Sequence, residues 1–238
     1  MSPRVAYLGP AGTFTEAAAL QYAPKANLIP CPTITAVSAA VVTGDAEEGV
    51  VPIENSLEGP VNDTLDLLIH ETSLFIRREL VLAIEHCLLV KPGTLEADIR
   101  AIYSHPQALA QCRRFIETRF PETAPMAALS TGAAAESVTH NNEKTAAAIG
   151  TLRAAELYGL EVLAKGIQDN PSNDTRFVVL GHADHAPTGD DKTSLGFSFD
   201  DDRPGLLFSV MGEFAKRGIN LAKVESRPTK QSLGRYVF

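Results

Sequence analysis

Most of this 238-residue chain repeats one unit, in which a short apolar run ends in a polar or glycine-bearing loop and the sequence then turns helical. Arg4–Leu8 runs into Gly9-Pro10-Ala11-Gly12 and a helix over Phe14–Tyr22, with Thr13 and Glu16 at the spacing of a capping box. An apolar pair at Leu28 and Ile29 precedes a helix over 36–42. Gly49-Val50-Val51-Pro52-Ile53 leads through a polar loop over 54–60 into a helix over 61–70, whose Val61, Leu65 and Leu68 have core-facing spacing. Strand, loop and helix in this order predict βαβ units in an open parallel sheet, which puts binding groups at the carboxyl ends of strands.

From Leu74 to Val90 apolar and polar residues partly alternate over a length unusual for one strand, and this stretch reads as a crossover from one lobe into another; Lys91-Pro92-Gly93 breaks it. The unit then recurs. A strand over 101–103 meets Ser104-His105-Pro106-Gln107, which opens a helix to about Arg119, and Ser130-Thr131-Gly132 opens another through Val138. An Ala-rich strand over 145–149, a helix over Leu152–Tyr158 and a strand over 162–164 follow. The polar loop from Gly166 then runs through Asn173-Asp174-Thr175-Arg176 into the apolar Phe177-Val178-Val179-Leu180. Spacing by itself favours a plain reading of that loop, a surface turn with Thr175 as an ordinary strand residue. Residues 182–191 read as a linker. Beyond them come a strand over 193–199, a charged turn over 200–204, a helix to about Arg217 capped by Gly218, and strands over 220–225 and 235–238. A βαββ start with nothing to cover its sheet reads as an incomplete domain.

Composition narrows the function. A net charge of −8 and the absence of Trp argue against a nucleic-acid surface, and no apolar run reaches the roughly 18 residues of a membrane helix. A cytoplasmic location is the expectation. Three separated cysteines, Cys31, Cys87 and Cys112, suit reduced thiols, and neither they nor the scattered histidines have metal-site spacing. Hydroxyl or amide side chains stand at helix starts at Thr13, Asn55-Ser56, Ser104 and Ser130-Thr131. Each alone reads as an N-cap; together they predict a cleft lined by helix N-termini that holds a small carboxylate without much positive charge. Glu54 and Glu58 read as loop and first-turn residues rather than an acid/base pair, and His105 as structural.

Several stretches in order carry a family resemblance: Tyr7-Leu8-Gly9-Pro10-Ala11-Gly12-Thr13-Phe14, Val51-Pro52-Ile53-Glu54-Asn55-Ser56-Leu57-Glu58-Gly59, Ser104-His105-Pro106-Gln107 through Gln111, Ser130-Thr131-Gly132-Ala133, and Asn173-Asp174-Thr175-Arg176-Phe177. The sequence resembles prephenate dehydratase over nearly all its length, and its tail, from Lys192-Thr193-Ser194-Leu195 through Pro204-Gly205-Leu206 to Glu225-Ser226-Arg227-Pro228, is similar to the ACT regulatory domain of that family. The resemblance implies an α/β catalytic domain over 1–181 of two lobes, like a type II periplasmic binding protein. Lobe 1 would span about 1–75 plus 162–181 and lobe 2 about 76–161. An incomplete α+β, ferredoxin-like ACT domain would occupy 192–238.

It also implies a carbon-oxygen lyase that converts prephenate to phenylpyruvate for phenylalanine synthesis, with no cofactor. Thr175 falls on the family's essential threonine. Asn55, Ser56, Ser104, Gln111, Thr13, Ser130, Thr131, Arg176 and Phe177 fall on or beside its substrate contacts. L-Phenylalanine as effector would use Gly205, Leu206, Leu207, Glu225, Ser226, Arg227 and Pro228, and a homodimer or homotetramer is expected. Arg176 either holds a carboxylate or buttresses its loop. Arogenate dehydration, a non-catalytic two-lobed binding protein and a stand-alone amino-acid sensor are the alternatives.

Overall fold

The computed structural model describes residues 2–141, 144–200 and 203–238. In chain order, β1 (Arg4–Leu8), α1 (Phe14–Tyr22), β2 (Asn27–Cys31), α2 (Ile34–Val42), β3 (Glu48–Asn55), the short β4 (Gly59–Pro60), α3 (Asn62–Asp66) and β5 (Phe75–Ala83) lead to β6 (Cys87–Val90). Then come β7 (Ala101–Ser104), α4 (Pro106–Gln111), α5 (Arg113–Arg119), β8 (Ala124–Ala127), α6 (Thr131–His140), β9 (Ala146–Gly150), α7 (Leu152–Tyr158), β10 (Glu161–Lys165) and β11 (Asp174–Gly181). The last stretch holds α8 (Leu206–Lys216), β12 (Arg227–Pro228) and β13 (Tyr236–Val237). Among the described residues, no helix is long and apolar enough to cross a membrane.

Two sheets organise Met1–Leu65 and Ser73–His185, which form one of the chain's two units. The first is ordered β2-β1-β3-β11-β5, with β4 hung on β3, and the second β10-β6-β9-β7-β8. Both are mixed rather than parallel, because β11 lies antiparallel to β3 and β5, and β6 and β10 run antiparallel to their neighbours. The chain leaves the first sheet after Ala83 and enters the second at Cys87; it returns between Lys165 and Asp174. Segment 84–86 and segment 166–173 are therefore the two crossings. They bond to each other, Ile84 N donating to Asn173 O at 2.7 Å and Ile167 N to His86 O at 3.1 Å. The border drawn from the sequence at 75/76 cuts β5 after its first residue, and the whole of β5 stays in the first sheet.

The second sheet shows why its strands are apolar throughout. Leu88, Val90, Ala147 and Ile149 pack under Ala108, Cys112, Ile116 and Phe120 on one face. Cys87, Leu89, Ala146 and Ala148 pack under Ala134, Ala135, Val138, Ala154 and Ala155 on the other. With helices on both faces no residue of β6 or β9 meets water, so the polar alternation of a one-sided strand is absent. In the first sheet Val5, Tyr7, Val50, Phe177 and Val179 close a core under Ala18 and Ala19 of α1.

Several expected elements differ. The helix expected to run from Ser104 to Arg119 breaks at Cys112, where the Asp169 carboxylate takes the Arg114 N–H at 3.1 Å in place of a helical carbonyl. β8 carries Pro125 and exposed residues, and nothing in the pattern marked it as a strand. The helix expected over 61–70 is α3 followed by a π-helical turn at Leu67–Glu71.

The other unit comprises Asp66–Thr72 and Ala186–Phe238. The strand expected over 193–199 is reduced to one bridge, Ser198 with Val237, and the one expected over 220–225 lies instead at Arg227–Pro228. Alternation assigns faces, but a strand exists only where a neighbour accepts its ladder. The charged turn expected over 200–204 falls partly outside the described residues. Phe197, Phe199 and Phe238 cluster at centroid distances of 5.7–5.8 Å, with Phe197 stacked on Phe238 and edge-on to Phe199. Asp66 accepts from Arg227 at 2.5 Å and pairs with Lys230 at 2.7 Å, while His70 Nε2 donates to Pro228 O at 3.1 Å.

Candidate active site

β3 ends at Asn55, and the antiparallel register of β11 sets Thr175 directly opposite it. Beyond Asn55 the chain turns, and Asn55 Oδ1 accepts the backbone N–H groups of Leu57 and Glu58, both at 3.0 Å. This Asx turn leaves its amide only one orientation, because Oδ1 faces two fixed donors. Nδ2 then donates to Thr175 Oγ1 at 2.9 Å and to Asn173 Oδ1 at 2.8 Å. Asn173, 1% exposed, passes the pattern on: its Nδ2 donates to Gln111 Oε1 at 3.0 Å. Gln111 closes α4 and reaches back to the first sheet's loop, Nε2 donating to Glu58 Oε1 at 3.3 Å. Its oxygen also faces His86 Nε2 at 3.0 Å. Burial pushes the His86 imidazole below its ordinary range, against a smaller opposing effect of the Gln111 bond.

A second group of residues adjoins the first through Phe14, whose ring meets the His86 ring edge-on at 5.3 Å. Thr13 caps α1, accepting the Glu16 N–H at 3.4 Å and donating its hydroxyl proton to Pro10 O at 3.0 Å. The expected capping box is altered, since the Glu16 carboxylate accepts from Gly12 N at 2.5 Å and pairs with Arg153 rather than bonding the Thr13 amide. Ser130 caps α6 by accepting from Ala133 N at 3.0 Å, and Thr131 follows it, buried. The loop over 9–12 lies against α6 and α7: Thr151 donates to Gly12 O at 2.9 Å, and a Cβ on Gly132 would stand 2.3 Å from Ala11 O. The N-termini of α1, α6 and α7 thus gather at one loop.

Not every expected residue joins these groups. Ser104 is the last residue of β7, not a helix start; it is fully buried, and its hydroxyl donates to Ile149 O at 2.7 Å, leaving His105 as the cap of α4. Ser104 and Gln111 therefore do not share one helix. Phe177 is 1% exposed and belongs to the core beneath α1, so its ring faces hydrophobic neighbours instead of a ligand. Arg176, one residue on from Thr175 and so on the other face of β11, pairs with Glu79 at 3.0 Å and Glu54 at 3.6 Å. Ser56 braces the return crossing, accepting from Asp174 N at 2.9 Å.

Sequence reasoning missed His86 and Asn173. The signal for His86 was a lone ring between Ile84 and the apolar Cys87–Val90; for Asn173 it was its place two residues before Thr175.

Of the residues expected to take an effector, Gly205 has φ +88° at the start of α8, where Leu206 and Leu207 follow. Glu225 pairs with Lys223 at 3.2 Å, next to the exposed Ser226, and Arg227 and Pro228 form β12.

The family model for prephenate dehydratase matches residues 5–185, and that for the ACT domain residues 194–238. The chain belongs to the prephenate dehydratase family. A bifunctional chorismate mutase/prephenate dehydratase of Stutzerimonas stutzeri is 44% identical over 236 residues, 99% of this chain and 64% of that protein. The chain thus spans 64% of the length of such bifunctional relatives. Arogenate dehydratase 1 of Petunia hybrida is 42% identical over 225 residues, covering 94% of this chain and 53% of that one. The crystal structure of prephenate dehydratase from Arthrobacter aurescens in complex with L-Phe superposes with a TM-score of 0.86 at 37% identity, covering 98% of this chain and 78% of that one.

Proposed function

We propose that the chain converts prephenate to phenylpyruvate, with Thr175 as the donor to the departing hydroxyl. The observation that carries this reading is the direction of the Asn55–Thr175 bond. Asn55 Nδ2 is a donor by construction, so Thr175 Oγ1 accepts, and the threonine's own proton stays available for a ligand. In the reaction the bond from the ring to its carboxylate breaks and carbon dioxide leaves. The electron pair enters the ring and expels the hydroxyl from the opposite carbon, and a proton delivered to that oxygen completes water. Aromatisation drives the step, which leaves the protein to orient a dianion and to stabilise the departing oxygen. A threonine hydroxyl is a weak acid. Its contribution is a preorganised hydrogen bond in a dry site, consistent with Thr175 being 9% and Asn55 8% exposed.

Gln111 Nε2, Ser130 and Thr131 supply donors, and the N-terminal ends of α1, capped by Thr13, and of α6 add positive helix-dipole ends for the two carboxylates. In this reading residues 1–181 are catalytic and 192–238 regulatory. Gly205, Leu206, Leu207 and Glu225 to Pro228 take L-phenylalanine, a role supported by the ACT match and by the L-Phe complex of the Arthrobacter protein.

Arogenate is the second substrate, favoured by the Petunia relative. It differs from prephenate by an amine in place of the side-chain keto oxygen. The test follows phenylpyruvate from prephenate and phenylalanine from arogenate, side by side. Release of phenylpyruvate by the wild type and its loss in Thr175→Ala are the expected result; no turnover of either substrate overturns the reading.

A further inference from the structure

His86 lies in the first crossing between the two sheets, held there by its own backbone: His86 N donates to Gln168 Oε1 at 3.0 Å and His86 O accepts from Ile167 N. Its ring is 2% exposed, and Nδ1 is buried with no hydrogen-bond partner among the described residues. Nε2 stands 3.0 Å from Gln111 Oε1.

The proton positions along this chain of contacts can be worked out from its far end. The backbone amides of Leu57 and Glu58 cannot turn, so Asn55 Oδ1 accepts and Asn55 Nδ2 donates. Asn173 Oδ1 must then accept and Asn173 Nδ2 donate, which makes Gln111 Oε1 an acceptor. A group facing that oxygen at 3.0 Å has to be a donor, so His86 carries its proton on Nε2. The opposite tautomer would bury an unpartnered N–H at Nδ1 and would set a lone pair against the Gln111 oxygen. Turning Gln111 to relieve that contact would oppose its NH2 to the NH2 of Asn173. The run of amides has one consistent direction, fixed by backbone at one end and by an imidazole at the other.

We propose that His86 is a positioning residue, whose neutral Nε2–H form locks the Gln111 amide with its oxygen toward Asn173 and its NH2 toward Glu58. Without it Gln111 Oε1 keeps one donor in place of two, its amide is held less tightly by Asn173 and Glu58 alone, and the direction of the bonds that end at Thr175 loses one of its two anchors. The role rests on the reading of the site as the one that turns over prephenate, but the protonation pattern does not.

The first experiment records the imidazole nitrogens of 15N-histidine-labelled wild type at pH 7. Protonated Nε2 and bare Nδ1 on His86 are expected; a proton on Nδ1, or on both nitrogens, overturns the proposal. The second compares His86→Leu with His86→Gln, whose amide N–H can reach the Gln111 oxygen. With prephenate, Leu is expected to lower kcat about tenfold or more with a smaller change in KM, and Gln to recover most of it. Wild-type kcat in the Leu variant overturns the proposal, as does a Gln variant no better than Leu. Should the Leu variant fail to fold, the tautomer and the Gln variant decide. Should the wild type leave prephenate untouched, the functional reading fails. The Gln111 side-chain NH2 signals then decide this proposal: sharp in wild type and averaged in His86→Leu supports it, and identical in both overturns it.

Discussion

Asn55 Nδ2 donates to Thr175 Oγ1 across 2.9 Å, between residues that face each other in the β3–β11 ladder. One side chain therefore caps its own turn and decides which way the Thr175 hydroxyl points.

Thr175→Ala removes the hydroxyl but leaves Asn55 Nδ2 its second acceptor, Asn173 Oδ1 at 2.8 Å. Stability should change by about 1 kcal/mol or less, whereas kcat should fall about a hundredfold or more, as for loss of one preorganised donor. Thr175→Ser should retain part of the rate. Urea melts and prephenate kinetics on the same preparations check both.

Asn55→Asp separates capping from donation. An aspartate still accepts from Leu57 N and Glu58 N, but its second oxygen would face Asn173 Oδ1 and would draw the Thr175 proton to itself. The expected result is a loss of kcat comparable to Thr175→Ala in a protein that still melts cooperatively. A near-wild-type rate would show that the bond direction is irrelevant.

His86 makes stability depend on pH. Its folded protonation lies below the ordinary 6.5, so as pH falls the unfolded chain takes the proton first. The contribution is whole above pH 6.5 and is lost as pH drops from there toward the folded value. Carboxylates held low by cationic partners, such as Asp66 beside Lys230 and Arg227, give way only at more acidic pH. The melting-temperature advantage of wild type over His86→Gln should therefore shrink between pH 7 and pH 5.

Gly132→Ala should disturb the contact between α6 and the loop over 9–12, because the added methyl would stand 2.3 Å from Ala11 O, a backbone atom. The loop is tied by Thr151, which donates to Gly12 O at 2.9 Å, so it cannot simply retreat. A loss of about 1–3 kcal/mol is expected, with a raised KM for prephenate, read from urea melts and steady-state kinetics.

The buried thiols should be inert in the folded protein. Burial pushes Cys87 up to about 11 and Cys112 up to about 12, and Cys31 is raised as well. A thiol-specific colorimetric reagent at pH 8 should label them only on unfolding.

The sequence by itself determined the recurring strand, loop and helix of the first unit, because each element's periodicity is local, and it determined the caps Thr13 and Ser130, whose partners lie three residues away. It placed Thr175 and Asn55 as candidates through motifs written in the chain. Tertiary structure alone decided that these two residues face each other, since a register between strands 120 residues apart has no local signature. It also decided that Ser104 and Phe177 turn into the core, that Arg176 faces Glu54 and Glu79, and that His86 and Asn173 complete the bonds. A hydrogen bond's direction is set by every partner along its chain, and those partners come from β3, α4 and both crossings, which only the folded chain brings together.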